Sequence, residues 1–172
     1  MDTEALKHLD EHGRARMVDV GGKPMTRRRA RAQGRIRMRP ETLDAIRAGG
    51  VEKGDVLAVA RLAAIGGAKR TAETVPLCHP LPLDSVTVEL ELDAELPGIW
   101  IGVEASVEAR TGVEMEALCG VSAGLLAVYD MCKGMDRGMQ ISDIELVAKQ
   151  GGLSGAWKRP EESPDKRPKA AG

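Results

Sequence analysis

Strict alternation marks two stretches of the chain. In "SVTVELELD", Val86, Val88, Leu90 and Leu92 alternate with Thr87, Glu89, Glu91 and Asp93. A period of two predicts a half-buried strand. "LPG" makes a turn, and "IWIGVEASVEAR" alternates again. Upstream, "RAQGRIRMRP" places Arg35, Arg37 and Arg39 on one strand face and Ile36 and Met38 on the other, and Pro40 ends it. "PETLDAIRAGG" predicts a short helix, with Pro and Glu in its first turn and glycine after its end. "VEKGDVLAVARLAAIGGAKRTAETV" predicts a longer helix lined by Val56, Leu57, Val59, Ala60, Ala63 and Ala64. A second long helix runs from about Val113 to Met135, where Val121, Leu125, Val128 and Cys132 recur at helical spacing. "MQISDIELVAKQ" reads as a last strand.

The order is β-α(α)-β-β-α-β, which predicts an α+β, ferredoxin-like βαββαβ fold with an antiparallel sheet and helices on one face. RNA-recognition domains share that order and stack bases on aromatics of their central strands. Here those strands offer only Trp100, which argues against such a module. A single domain over 17–154 is expected. Residues 1–16 are charged and aperiodic and read as a flexible tail; 155–172, rich in Pro and charge, read as a disordered one.

Composition narrows the picture further. With no Phe, one Tyr and two Trp, the core has to be built from Leu, Val, Ile, Ala and Met. The net charge of −1 gives no global pull toward nucleic acid or membrane. Three cysteines without a C-x-x-C speak against a disulfide framework or zinc knuckle. No apolar run approaches membrane-span length, and "MDTEALKHLDEHG" is no signal peptide, so the expected location is the cytoplasm.

The stiffest chemistry-bearing stretch is "TVPLCHPLPLDS", with Cys78-His79 bracketed by Pro76, Pro80 and Pro82. Adjacency makes joint metal chelation the weakest reading. A Cys–His nucleophilic pair, a histidine donor for an anion and a packed corner stay open. Lys53, Lys69 and Arg70 flank the first long helix, where solvated ends are a sufficient explanation. Arg27, Arg28, Arg29 and Arg31 join the arginine strand face as a local basic patch suited to polyphosphate or nucleic acid. Glu114 and Glu116 suit a helix N-terminus. Asp130 opposes the dipole near that helix's end and shares a face with Lys133, either as an exposed salt bridge or for chemistry.

Taken in order, "MVDVGGKP", "KGDVLAVARLAAIGGAKRT", "VPLCHPLPL", "TGVEMEAL", "YDMCKGMDRGM" and "LVAKQGGLSG" form a specific set. The set resembles the MoaC family, the cyclic pyranopterin monophosphate synthases of molybdenum cofactor biosynthesis, over about Met17 to Gly155. The resemblance implies a ferredoxin-like fold and a homohexamer, a trimer of dimers, with sites at subunit interfaces. It implies a nucleotide-derived substrate, 3′,8-cyclo-7,8-dihydro-GTP, supplied by a radical SAM enzyme upstream, and no cofactor. Residue by residue it makes Asp130, Lys133 and Lys53 catalytic. It assigns substrate binding to Leu77, Cys78, His79, Glu114, Met115, Glu116, Lys69 and Arg28. Many relatives read GGKSG here, so Leu153 stands where the resemblance expects a lysine. A basic-strand RNA-binding module and a transferase using Cys78 or Cys132 are the alternatives from other classes.

One expectation rests on helix length. Glu116 and Asp130 lie ~21 Å apart along one predicted helix, and Lys53 and Lys69 ~24 Å apart along the other. One nucleotide pocket cannot touch all four in one chain, so the site is expected to be shared, with Lys53 and Asp130 as the pair to test for origin in different chains.

Overall fold

The computed structural model describes residues 9–153, 155–160 and 168. Five strands form one antiparallel sheet: β1 (Thr26–Arg37), β2 (Ser85–Asp93), β3 (Gly98–Ala109), β4 (Gln140–Gln150) and β5 (Trp157–Lys158), in the order β2-β3-β1-β4-β5. The first four strands have the ferredoxin-like order, as expected. Among the described residues four helices join them: α1 (Pro40–Arg47), α2 (Val56–Lys69), α3 (Thr71–Thr74) and α4 (Glu114–Cys132). The core lies between the sheet and α2 and α4. It is aliphatic: Ile36, Ile101 and Val103 from the strands meet Val121, Leu125 and Val128 from α4.

Helices α2 and α4 pack antiparallel through small residues. A side chain at Gly120 would meet Ala64 and Ala68, one at Gly124 would meet Ala60 and Ala64, and one at Gly67 would collide with Ala123 and Cys119. The buried stripe of α2 is Val56, Ala60, Ala64 and Ala68, while Val59 is exposed. Helix α4 is, among the described residues, the one helix long and apolar enough by composition to cross a membrane; half of that window is buried inside this fold.

The structure differs from the sequence reading at three places. First, the α2 helix begins at Val56, because Asp55 caps it by accepting from the Ala58 N–H at 3.0 Å. Lys53 therefore lies in the turn ahead of the helix, and α4 likewise stops at Cys132. Second, the arginine patch is split. Alternation along β1 sends Arg28 to the helix side with Ala30, Ala32 and Ile36. On the opposite face Arg29, Arg31 and Arg35 pair with Glu104, Glu89 and Asp143. Trp100, on that face, is 1% exposed, so its ring is not offered for stacking. Third, the stretch expected as a C-terminal tail contributes β5, and Arg159 donates to the Leu146 carbonyl at 2.8 Å. The remainder of that expectation, 161–167 and 169–172, and residues 1–8 of the N-terminal one, fall outside the described residues.

Candidate active site

One proline-constrained turn, a glycine turn and a helix start meet at the N-terminal end of α4. After α3, the Cys78 N–H donates to the Val75 carbonyl at 3.0 Å, and the chain leaves this turn through Pro80 and Pro82. The turn delivers Leu77, Cys78 and His79 to a cavity of about 430 Å³. Glu114, Met115 and Glu116, from the first turn of α4, line the same space. All six of these sequence-predicted residues thus share one cavity. A side chain at Gly112 would displace the Glu114 carboxylate from its present position. A second space of about 390 Å³ lies beyond Glu116 and brings in Lys69 from the end of α2. A third, of about 370 Å³, lies beyond Glu114 and brings in Arg28.

Glu116 is 4% exposed, and burial pushes its carboxyl above the usual carboxylate range, with Glu114 adding to the effect. Burial also pushes the Cys78 thiol up, helped by Glu116 and Cys119. A raised thiol pKa leaves less thiolate, which weakens the nucleophilic reading of Cys78. Cys132 is buried, with its thiol raised by burial as well.

The C-terminal end of α4 has a different character. Lys133 Nζ lies 2.6 Å from Asp130 Oδ1, and Lys53 Nζ lies 2.9 Å from Oδ2 and 2.8 Å from the Asp130 carbonyl. The side chains of Lys53, Lys133 and Asp130 are 47%, 52% and 56% exposed. Lys133 first, then Lys53, holds the Asp130 carboxyl at about 2. Asp130 in turn raises the Lys133 ammonium above its usual value. Two cations at the helix terminus also reverse the unfavourable placement of a carboxylate there. Behind this triad, buried Asp136 accepts from the Arg39 and Gly138 N–H groups at 2.8 and 3.0 Å. It fastens the turn after α4 to the start of α1, whose far connection carries Lys53.

Lys53 and Asp130 therefore touch within one chain, which overturns the expectation that they come from different chains. The separation lies elsewhere. Because α2 and α4 are antiparallel, the Lys53–Asp130–Lys133 triad occupies one end of the pair. Lys69, His79 and Glu116 occupy the other, and Glu116 and Asp130 stand ~21 Å apart along α4.

Lys149 also lines the candidate site, a placement the sequence reading missed. It sits 3.0 Å from Glu114 and lines the Arg28 cavity. A single lysine on a strand carries no local signal, and only the register that pairs β4 with β1 brings it there. Among the described residues, no group of three or more His, Cys, Asp or Glu side chains could hold a metal ion. Residues 17–152 match the sequence model of the MoaC family.

Proposed function

Since the chain belongs to the MoaC family, the cyclic pyranopterin monophosphate synthases of molybdenum cofactor biosynthesis, we propose that its two α4 ends are the halves of one lyase site. The substrate in this reading is 3′,8-cyclo-7,8-dihydro-GTP, which is converted to cyclic pyranopterin monophosphate with release of pyrophosphate. A radical SAM enzyme supplies it, the cytoplasm is the location, and residues 17–154 act as one catalytic domain. The observation that carries the reading is the ion triad of Lys53, Asp130 and Lys133 set apart from the cavity of His79 and Glu116.

Each half has a task its chemistry suits. The cavity half binds: His79 and Lys69 meet phosphate oxygens, and Leu77 and Met115 cover the ring system. Glu116, whose carboxyl burial raises above the usual carboxylate range, is suited to giving up a proton. The triad half works on protons. Asp130 alone with both ammoniums is a poor base, because its conjugate acid titrates at about 2. A bound phosphate competes for Lys53 and Lys133 and draws them off the carboxylate. Asp130 then moves up toward the range of a useful base.

The halves meet when α4 of one subunit sets its C-terminal end beside the α4 N-terminal end of another. A two-fold interface does this twice, giving two sites per dimer, and three such dimers make the hexamer. Turnover of the cyclic GTP derivative by the purified protein, with pyrophosphate released, tests the activity. Subunit exchange tests the sharing. Asp130→Ala and His79→Ala, each inactive alone, are mixed, dissociated and reassembled. Recovery to roughly a quarter of wild type is expected, since half of random pairs are mixed and each restores one of two sites. Lys53→Ala with Asp130→Ala damages the same half and gives no recovery. Recovery from that second mixture, or none from the first despite proven exchange, removes the shared site.

A further inference from the structure

We propose that Asp136 is a positioning residue for the Lys53–Asp130–Lys133 triad, and that it acts by capping a helix on another segment. Helix α1 has no cap of its own. Its N-cap residue, Arg39, makes no side-chain cap bond, and a guanidinium carries donors only. Pro40 opens the helix without an N–H to satisfy, but the Arg39 N–H ahead of it still needs an acceptor. Asp136, 97 residues further on, supplies one: its Oδ2 accepts from the Arg39 N–H at 2.8 Å. The same oxygen accepts from the Thr42 hydroxyl at 3.5 Å. In a capping box, an acidic side chain at the third helical position accepts from the N-cap N–H. Thr42 stands at that position here, and Asp136 takes over the task from outside the helix. A carboxylate also suits the positive end of the helix dipole.

The clasp runs both ways. Asp136 Oδ1 accepts from the Gly138 N–H at 3.0 Å and lies 3.6 Å from Arg39 Nε. The Arg39 guanidinium in turn donates to the Met135 carbonyl. Asp136 is 4% and Thr42 2% exposed, so little water competes for these bonds.

The two segments joined in this way deliver the two triad lysines. Lys133 ends α4, and its N–H donates to the Tyr129 carbonyl at 2.9 Å. The Met135 and Asp136 N–H groups then donate to the Cys132 carbonyl at 2.9 and 3.0 Å, and the Tyr129 hydroxyl donates to the Arg137 carbonyl at 3.2 Å. Lys133 therefore stands between α4 and a turn that Asp136 pins. On the other side, α1 is a rod of ~12 Å, so fixing its start fixes where its end sets down the Lys53 turn. Leu43 and Ile46 bury the inner face of α1, and buried Val51 anchors that turn. The lysine side chains are flexible and half-exposed, and they reach separate oxygens of one carboxylate, Lys133 to Oδ1 and Lys53 to Oδ2. A shift in either backbone origin unpairs one of them. The bonds of Asp136 go to Arg39, Thr42 and Gly138 and not to a triad atom, so it acts through geometry.

The test reads the triad directly. The full-length protein is exposed to a trace of acetic anhydride at mildly alkaline pH, and mass spectrometry follows the labelling of each lysine. Asp130 raises the Lys133 ammonium, so Lys133 should label slowly beside the exposed Lys158. Asp136→Asn should speed Lys133 relative to Lys158 by about threefold or more. It should also lower kcat by about tenfold. Loss of a negative charge would by itself favour the free amine, so Arg39→Ala separates charge from geometry. That variant removes a positive charge, which alone would slow Lys133, whereas loss of the grip on Met135 should speed it. The Arg39 side chain is exposed, so the variant also stands in should Asp136→Asn fail to fold. Unchanged Lys133 labelling in a folded Asp136→Asn, or slower labelling in Arg39→Ala, overturns the proposal. So does a kcat within about twofold of wild type in Asp136→Asn. The kcat arm rests on the lyase reading above. Faster Lys133 labelling in both variants of a protein that does not turn over the cyclic GTP derivative would keep the positioning role and discard that reading.

Discussion

The two ends of α4 each present a carboxylate, and the surroundings drive them in opposite directions. At the N-terminal end, Glu116 is 4% exposed, and burial raises its carboxyl. At the C-terminal end, Asp130 is 56% exposed between two ammoniums that hold it at about 2. One end raises a carboxyl by burial without supplying the charge that moves a proton. The other keeps charges with nothing around them to exclude water. Electrostatic work of the kind the reaction needs is strong only in a dry site. Each end thus lacks what the other has, which is the physical case for bringing them together across an interface.

The contrast breaks most severely at Lys133. Lys133→Ala should lower kcat by about 10²–10⁴-fold, the range for losing an acid–base group. Lys133→Arg should be nearly as damaging, because arginine keeps the charge and cannot release its proton at working pH. Steady-state rates decide this, and an arginine variant within a few-fold of wild type would reduce Lys133 to a charge.

Glu116→Gln sharpens the other side. Its kcat should fall by about 10²-fold, yet the protein should melt higher at neutral pH. The sign follows from the direction of the shift. A carboxyl raised in the folded state contributes stability below its unfolded pKa, and that contribution is lost as pH rises through the folded value. Removing a reluctant buried carboxylate therefore helps the fold where it is ionised. Asp130 runs the opposite way: its contribution is present above the ordinary carboxylate pKa and is lost as pH falls toward about 2. Calorimetric melting from acid to neutral pH should show Asp130→Asn flattening the acid limb and Glu116→Gln flattening the limb above it. A lower melting temperature for Glu116→Gln at neutral pH would contradict the burial account.

The smallest effect is expected at Cys78. Cys78→Ala should keep activity within a few-fold of wild type, whereas His79→Ala in the same turn should lose most of it. A dead Cys78→Ala of unchanged stability would restore the thiol as a nucleophile.

Much of this was legible from periodicity. Val121, Leu125, Val128 and Cys132 are fully buried on α4, and the alternating stretches became β2 and β3. The errors have local causes. Asp55 in "KGDV" is a capping residue and Gly54 has a φ of 97°, so the helix could not extend back to Lys53. The arginine strand read as a patch because its neutralising partners, Glu104 and Glu89, lie some 60 to 75 residues away and depend on strand register. Asp143, at φ 56° beside a register shift in β4, has no sequence signature either. For Asp130 and Lys133, spacing alone left chemistry and an exposed salt bridge evenly matched. The family resemblance tipped the balance, and nothing in the local pattern would have added Lys149.

The glycine and alanine seam between α2 and α4 has a consequence for which changes the chain can accept. Helices that touch through backbone and methyl groups leave no layer of long side chains to absorb a shift. Inserting or deleting one residue in either helix would turn one end against the other by about 100° and slide it ~1.5 Å. Lys53 would leave Asp130, or Lys69 would leave Glu116. The number of residues in these two helices therefore fixes which side chains face one another at each end of the pair.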